Sequence, residues 1–165
     1  MRPTRAAVGT VLFAATVPAT VAGVVPWLLA GRPTQVPPDA PVAARLAGGL
    51  LLAGGSALVA DAFVRFVRAH GTPAPIAETE SLVTAGPYRV TRNPQYVGVV
   101  SVAAGQALWW WDRRPLAYAA VSAAVFHTWI RVYEEPRLRQ RFGEAYVAYV
   151  DAVPRWFGRR VGTRW

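Results

Sequence analysis

The sequence predicts an all-α, polytopic membrane protein: about four transmembrane helices and then a C-terminal amphipathic helix lying at the interface. Three observations carry that prediction. Of 165 residues, 53% are hydrophobic and 16% charged, a balance too apolar for a soluble domain of this length. Residues 6–30 and 93–111 hold no charge over 25 and 19 residues, and both runs exceed the ~18 that suggest a spanning helix. All 18 basic residues are arginine, and they are distributed unevenly about the apolar runs.

The first helix is expected over about 6–30. It is longer than the core of a secretory signal and is read as retained. Pro18 and Pro26 kink it without destroying it, provided neighbouring helices satisfy the carbonyls that proline leaves free. GRPTQVPPDAP then forms a short outer loop. The second helix, about 42–67, carries Gly49, Ala53 and Ala57 at four-residue spacing, a small-residue stripe that lets another helix approach closely. Residues 68–86 mix proline, glycine and charge and read as a long inner loop, closed by a turn at Gly86-Pro87.

Asn93-Pro94 marks the start of the third helix, about 94–111. Asparagine caps free N–H groups, and proline at the first helical position loses nothing. Trp109, Trp110 and Trp111 end it as an interfacial aromatic belt. A tight outer turn leads to the fourth helix, about 115–133, which Pro136 is expected to end, because the residue before a proline is pushed out of helical geometry. From about 136, Leu138, Phe142, Tyr146 and Tyr149 share one face of a final helix, which is expected to lie in the headgroup layer.

With both termini cytoplasmic, fourteen arginines fall inside and only Arg32, Arg45, Arg113 and Arg114 outside. The expected location is a bacterial inner membrane, with residues 1–165 forming a single domain. The chain has no cysteine, which excludes disulfides, thiolate metal sites and a thiol nucleophile. No metal site is expected. Nucleic acid is not an expected partner, because the arginines flank helices rather than forming one continuous patch.

Two polar clusters, TAGPYRVTRNPQYVG before the third helix and RVYEEPRLRQRFGEAYVAYV after the fourth, fall on the same cytoplasmic side. The short outer turn makes these helices antiparallel neighbours, so the clusters are expected to form one site. A helix start reinforced by Arg89 and Arg92 suits a carboxylate or phosphate. Glu134 and Glu135 suit ribose hydroxyls or a cation, and Tyr88, Tyr96 and Tyr133 supply flat surfaces. Together they suit a zwitterionic nucleoside. Arg131 with Glu134 or Glu135 is equally an ordinary helical ion pair.

Gly86, Pro87, Tyr88 and Arg89 are followed by Arg92, Asn93, Pro94, Tyr96 and Gly98. After a hydrophobic hairpin come Glu134, Glu135, Leu138, Phe142, Gly143, Tyr146 and Tyr149. This order closely resembles the isoprenylcysteine carboxyl methyltransferase and phospholipid methyltransferase superfamily of small integral membrane enzymes, over about residues 86–157. The resemblance implies S-adenosylmethionine as methyl donor, with Tyr88, Arg92, Asn93, Pro94, Tyr96 and Gly98 shaping its pocket and Glu134 or Glu135 contacting its polar groups. It implies a lipidic or hydrophobic small-molecule acceptor reaching the site from membrane lipid. Arg131 is the candidate for orienting that acceptor, and Arg131 and Glu134 are the candidate catalytic pair.

The superfamily usually has histidine where this chain has Asn93, which excludes acid/base chemistry by a histidine at that position. His70 falls in the inner loop and His127 inside the fourth helix, where a packing contact is expected. A nicotinamide-dependent membrane reductase and a non-catalytic packing subunit are the alternative readings.

Overall fold

The computed structural model describes residues 16–69 and 81–157, and all regular structure among them is helical. Helix α1 spans Thr16–Leu29, α2 Val42–Arg68, α3 Pro94–Trp109, α4 Arg113–Trp129 and α5 Glu135–Ala152. A 3₁₀ turn, Gly86–Arg89, precedes α3, and a π-helical turn, Ile130–Glu134, joins α4 to α5. Residues 6–15 of the expected first helix lie outside the described residues, as do His70 and most of the inner loop.

The closest helix pair is α2 against α3, and glycine makes the approach possible. A Cβ added at Gly48 would lie 2.8 Å from the Gly105 carbonyl oxygen, and one added at Gly55 would lie 2.7 Å from the Gly98 carbonyl oxygen. The relation is reciprocal: Gly105 and Gly98 would meet the carbonyls of Gly48 and Gly55 at 2.9 and 2.7 Å. Seven residues, about two helical turns, separate the glycines on each antiparallel helix, so the contacts align. The expected Gly49, Ala53 and Ala57 stripe is therefore not the packing face. Ala53 and Ala57 are exposed, and Gly49 meets only the Trp109 ring. The methyl groups of alanine hold backbones apart where glycine does not.

Proline also shapes α1. Pro26 has no N–H to offer the carbonyls one turn behind it, and the helix widens to π geometry over Ala19–Val24. The hydroxyl of Tyr118 on α4 donates to the Val21 carbonyl at 3.0 Å, and the side-chain amide of Gln106 on α3 donates to that of Ala22. Neighbouring helices thus satisfy the freed carbonyls, as expected of a kinked membrane helix. At the turn between α3 and α4 the Asp112 carboxylate accepts from the Arg114 backbone N–H at 2.8 Å and starts α4.

Pro136 does not end the fourth helix. The chain absorbs it through the π turn, in which the Glu135 N–H donates to the Ile130 carbonyl five residues back, and α5 follows with the proline in its first turn. Helix α5 breaks once, at Gly143, where φ is 53° and ψ is −128°. Past that break Tyr146, Tyr149 and Val153 form a buried cluster with Leu82, Leu138 and Phe142 packed against it. The face expected to lie among lipid headgroups is instead turned into the protein.

Among the described residues only α2, at 27 residues and mean hydropathy 1.7, is long and apolar enough to cross a membrane. The 16 residues of α3 and 17 of α4 fall short of the ~20 a span needs. The four expected spans therefore reduce to one by this measure. Polar turns cut α3 off at Pro94, and the π turn interrupts the helical run of α4.

Candidate functional site

At the end of the bundle where α3 starts, the Gly-Pro-Tyr-Arg turn folds over α2. Gly86 has φ of +63°, a left-handed conformation that favours glycine, and the Arg65 guanidinium occupies the space beside it. Tyr88 is buried edge-on to Phe66 at 6.2 Å, and its carbonyl accepts from the Tyr149 hydroxyl at 2.7 Å. Burial, then the nearby Glu134 charge, pushes the Tyr88 phenol well above its ordinary value.

Residues 91–93 are all buried, although all are polar. Arg92 places Nη1 on the Val153 and Val150 carbonyls at 2.8 and 3.1 Å and Nη2 on Glu135 at 2.7 Å. Asn93 makes no side-chain bond to the first turn of α3, contrary to the expected cap. Its Nδ2 donates instead to the Arg155 carbonyl at 2.9 Å, beside the Thr91 hydroxyl donating to the same oxygen at 2.9 Å. Thr91 Oγ1 meanwhile accepts from the Asn93 N–H at 3.2 Å.

The two polar clusters meet in one cleft of about 590 Å³, open space at its mouth included. One wall carries Tyr88, Arg92, Asn93, Gln95 and Tyr96, and the facing wall carries Ile130, Glu134, Glu135, Leu138 and Phe142. Phe66, Leu82, Val83, Tyr146 and Tyr149 complete it. The Tyr96 hydroxyl donates to Glu134 Oε2 across the cleft at 2.9 Å, and the Tyr96 ring rests on Phe126 at 4.9 Å.

The paired glutamates differ sharply. Glu135 sits between Arg92 and Arg155, whose Nε and Nη2 reach its two oxygens at 2.8 and 2.6 Å. Burial pushes its carboxyl up, but the hydrogen bonds from Arg155 and Arg92 outweigh this and hold it below the usual carboxylate range. Glu134 has no cationic partner among the described residues. It reaches the cleft yet is densely surrounded by protein, so burial first, and the Glu135 charge second, raise it above that range against the Tyr96 bond.

Of the residues singled out from sequence, Tyr88, Arg92, Asn93, Tyr96, Glu134 and Glu135 line this one cleft. Pro94 and Gly98 do not: Pro94 is buried in the first turn of α3 and Gly98 is spent on contact with Gly55. Arg131 does not line it either and is exposed, because each residue of the wide π turn advances by a smaller angle than in an α-helix and carries Arg131 off the Glu134 face. His127 makes the expected packing contact, its Nδ1 accepting from Trp156 Nε1 at 3.0 Å. The sequence reading passed over Gln95, whose signal was its place inside the same RNPQY run. It also passed over Phe66 and Arg155, which no local pattern marks.

The family model described as phospholipid methyltransferase matches residues 43–145, from the start of α2 to just past the break in α5. No curated protein and no solved structure matches the chain.

Proposed function

The chain belongs to the phospholipid methyltransferase family, and from that premise we propose that it moves a methyl group from S-adenosylmethionine to the amine of a lipid headgroup, in the cleft bridged by Tyr96 and Glu134. The observation that carries this reading is the pairing of a hydrogen-bonded but un-neutralised carboxylate with a partly aromatic cleft. Two buried polar atoms on its lining residues, Arg92 Nε and Gln95 Oε1, have no hydrogen-bond partner among the described residues. One is a donor suited to a carboxylate, the other an acceptor suited to a hydroxyl or amino group.

S-adenosylmethionine, when bound, supplies an electrophilic methyl group on a sulfonium centre. The chain's residues do the rest. Tyr88, Tyr96 and Phe142 offer flat walls, and Glu134 attracts a cation. An amine attacks only after losing its proton, and a carboxyl held above its usual range is a better acceptor for that proton near neutral pH. A carboxylate acceptor placed there would instead be repelled by the charge of Glu134, which has no cationic partner among the described residues. A dry site also reduces the solvent reorganisation that accompanies loss of sulfonium charge.

In this reading the helices span the membrane four times, with the cleft on the cytoplasmic side and both termini there. Short α3 and α4 are accommodated by local thinning and by snorkelling arginines. Apolar side chains already face outward, Leu50 at 75% and Val121 at 61% exposure.

Calorimetry on the detergent-solubilised chain tests the donor. Saturable binding of S-adenosylmethionine is expected, weakened roughly tenfold or more by Glu134→Ala or Tyr96→Ala, the scale of losing one charged hydrogen bond. Radiolabelled methyl groups should appear on an amine-headed lipid and not on a prenylated carboxylate. Binding of reduced nicotinamide in place of the donor would replace this reading with that of a reductase.

A further inference from the structure

The segment that follows α5 lies beyond the residues matched by the family model, and it reaches three separate elements around the cleft. The carbonyl of Pro154 accepts from the Arg92 backbone N–H at 3.0 Å. The Arg155 carbonyl takes both the Thr91 hydroxyl and the Asn93 amide, and its guanidinium grips both oxygens of Glu135. One residue further on, the Trp156 ring stacks on His127 of α4 at 6.1 Å and donates to it. Arg155 itself is not part of the cleft lining, although Arg92, Asn93 and Glu135 all are.

We propose that Arg155 is a positioning residue of the cleft, clamping the start of α3 to the double-glutamate turn, so that both oxygens of Glu135 are engaged by guanidinium groups and Glu134 alone presents a carboxylate without a cationic partner to the ligand. The proposal rests on reading the cleft as the methyl donor's site. The clamp works because each end is chemically specific. A bidentate guanidinium fixes a carboxylate in plane as well as in distance, which a lysine ammonium does not. The carbonyl end closes a short chain of bonds, Asn93 N–H to Thr91 hydroxyl to Arg155 oxygen, in which each bond polarises the next. Asn93, where the superfamily usually has histidine, joins this chain through its backbone N–H and one hydrogen of its Nδ2.

Two measurements on the full chain in detergent test the clamp. Amide hydrogen exchange of the ligand-free protein is followed over residues 88–97 and 130–138, with α2 as the reference, and S-adenosylmethionine affinity is measured by calorimetry. With Arg155→Ala, exchange in those two stretches is expected to rise about tenfold while α2 stays unchanged, and affinity to fall about tenfold. Arg155→Lys should recover part of each. Adding Glu135→Gln to Arg155→Ala should cost less than Glu135→Gln costs alone, because the Arg155 contact is already gone and only the one with Arg92 is left to lose. The proposal is overturned by exchange that is unaltered, by exchange that rises equally in α2, or by fully additive effects of the two substitutions. If the unsubstituted chain binds no S-adenosylmethionine, the functional reading fails, and exchange still decides the clamp.

Discussion

The two ends of this bundle are built on opposite plans. Along the apolar length of α2 and α3 the interior holds the smallest side chains, Gly48, Gly55, Ala62, Gly98, Ala103, Gly105 and Ala107, while Leu46 and Leu50 point outward. At the end where α3 begins, the interior holds Tyr88, Tyr146 and Tyr149 with Thr91, Arg92 and Asn93, and the bonds are between side chains and distant backbone. In lipid no water-driven burial rewards a large apolar interior, so backbone proximity holds the helices together. At the polar end, by contrast, each polar group must be fixed individually. Helix α3 belongs to both plans, for Gly98 lies two residues past Tyr96.

The sharpest way to break this contrast is to remove the polar plan at its hub. Arg92 is 8% exposed and serves two carbonyls and one carboxylate. Arg92→Met should destabilise the protein by ~1–3 kcal/mol, the scale for leaving the buried Val150 and Val153 carbonyls without their donor while Arg155 still holds Glu135. Chemical denaturation in mixed micelles would register it. A cost under ~1 kcal/mol would mean that the polar end is an ornament on a fold held elsewhere.

The apolar plan is tested by Gly55→Val, whose Cβ would meet backbone only 2.7 Å away. Because that neighbour is the Gly98 carbonyl and not a flexible side chain, α2 and α3 must move apart, at a cost of ~1–3 kcal/mol. Ala57→Val, on the exposed side of the same helix, should stay within ~0.5 kcal/mol. Equal effects at both positions would remove glycine contact as the organising feature of this end. Loss of donor binding by Gly55→Val alone would show that the two plans are coupled through α3.

The sequence made some of this legible and hid the rest for physical reasons. Asn93-Pro94 announced the start of α3 and the tryptophans its end, since proline geometry and interfacial aromatics are local signals. The meeting of Tyr96 with Glu134 followed from antiparallel neighbours joined by a short turn. The packing face was misplaced because a four-residue stripe was sought on α2 alone. Matching seven-residue glycine pairs on both helices was the signal that could have found it. Arg131 was misplaced because its i,i+3 relation to Glu134 holds only in an α-helix, and Pro136 turns that stretch into a π turn. The Arg155 contacts span more than sixty residues to Thr91 and Asn93, and no pattern within one segment encodes them.

The gentlest test concerns the two glutamates, whose carboxyls are displaced in opposite directions. Glu135 is held below the usual range, so its contribution to stability is present above that range and is lost as pH falls through its folded value. Glu134 is held above the range, so the folded state keeps its proton longer than the unfolded chain does. Its contribution is complete below the ordinary range and is lost as pH rises through the folded value. Melting curves between about pH 3 and about pH 8 should therefore rise on the acid side and fall again on the neutral side. Glu135→Gln should flatten the acid limb only, and Glu134→Gln, which keeps an acceptor for Tyr96, the neutral limb only. If Glu134→Gln left the neutral limb unchanged, Glu134 would already be an ordinary ionised carboxylate. The proton of an amine acceptor would then have to leave by another group.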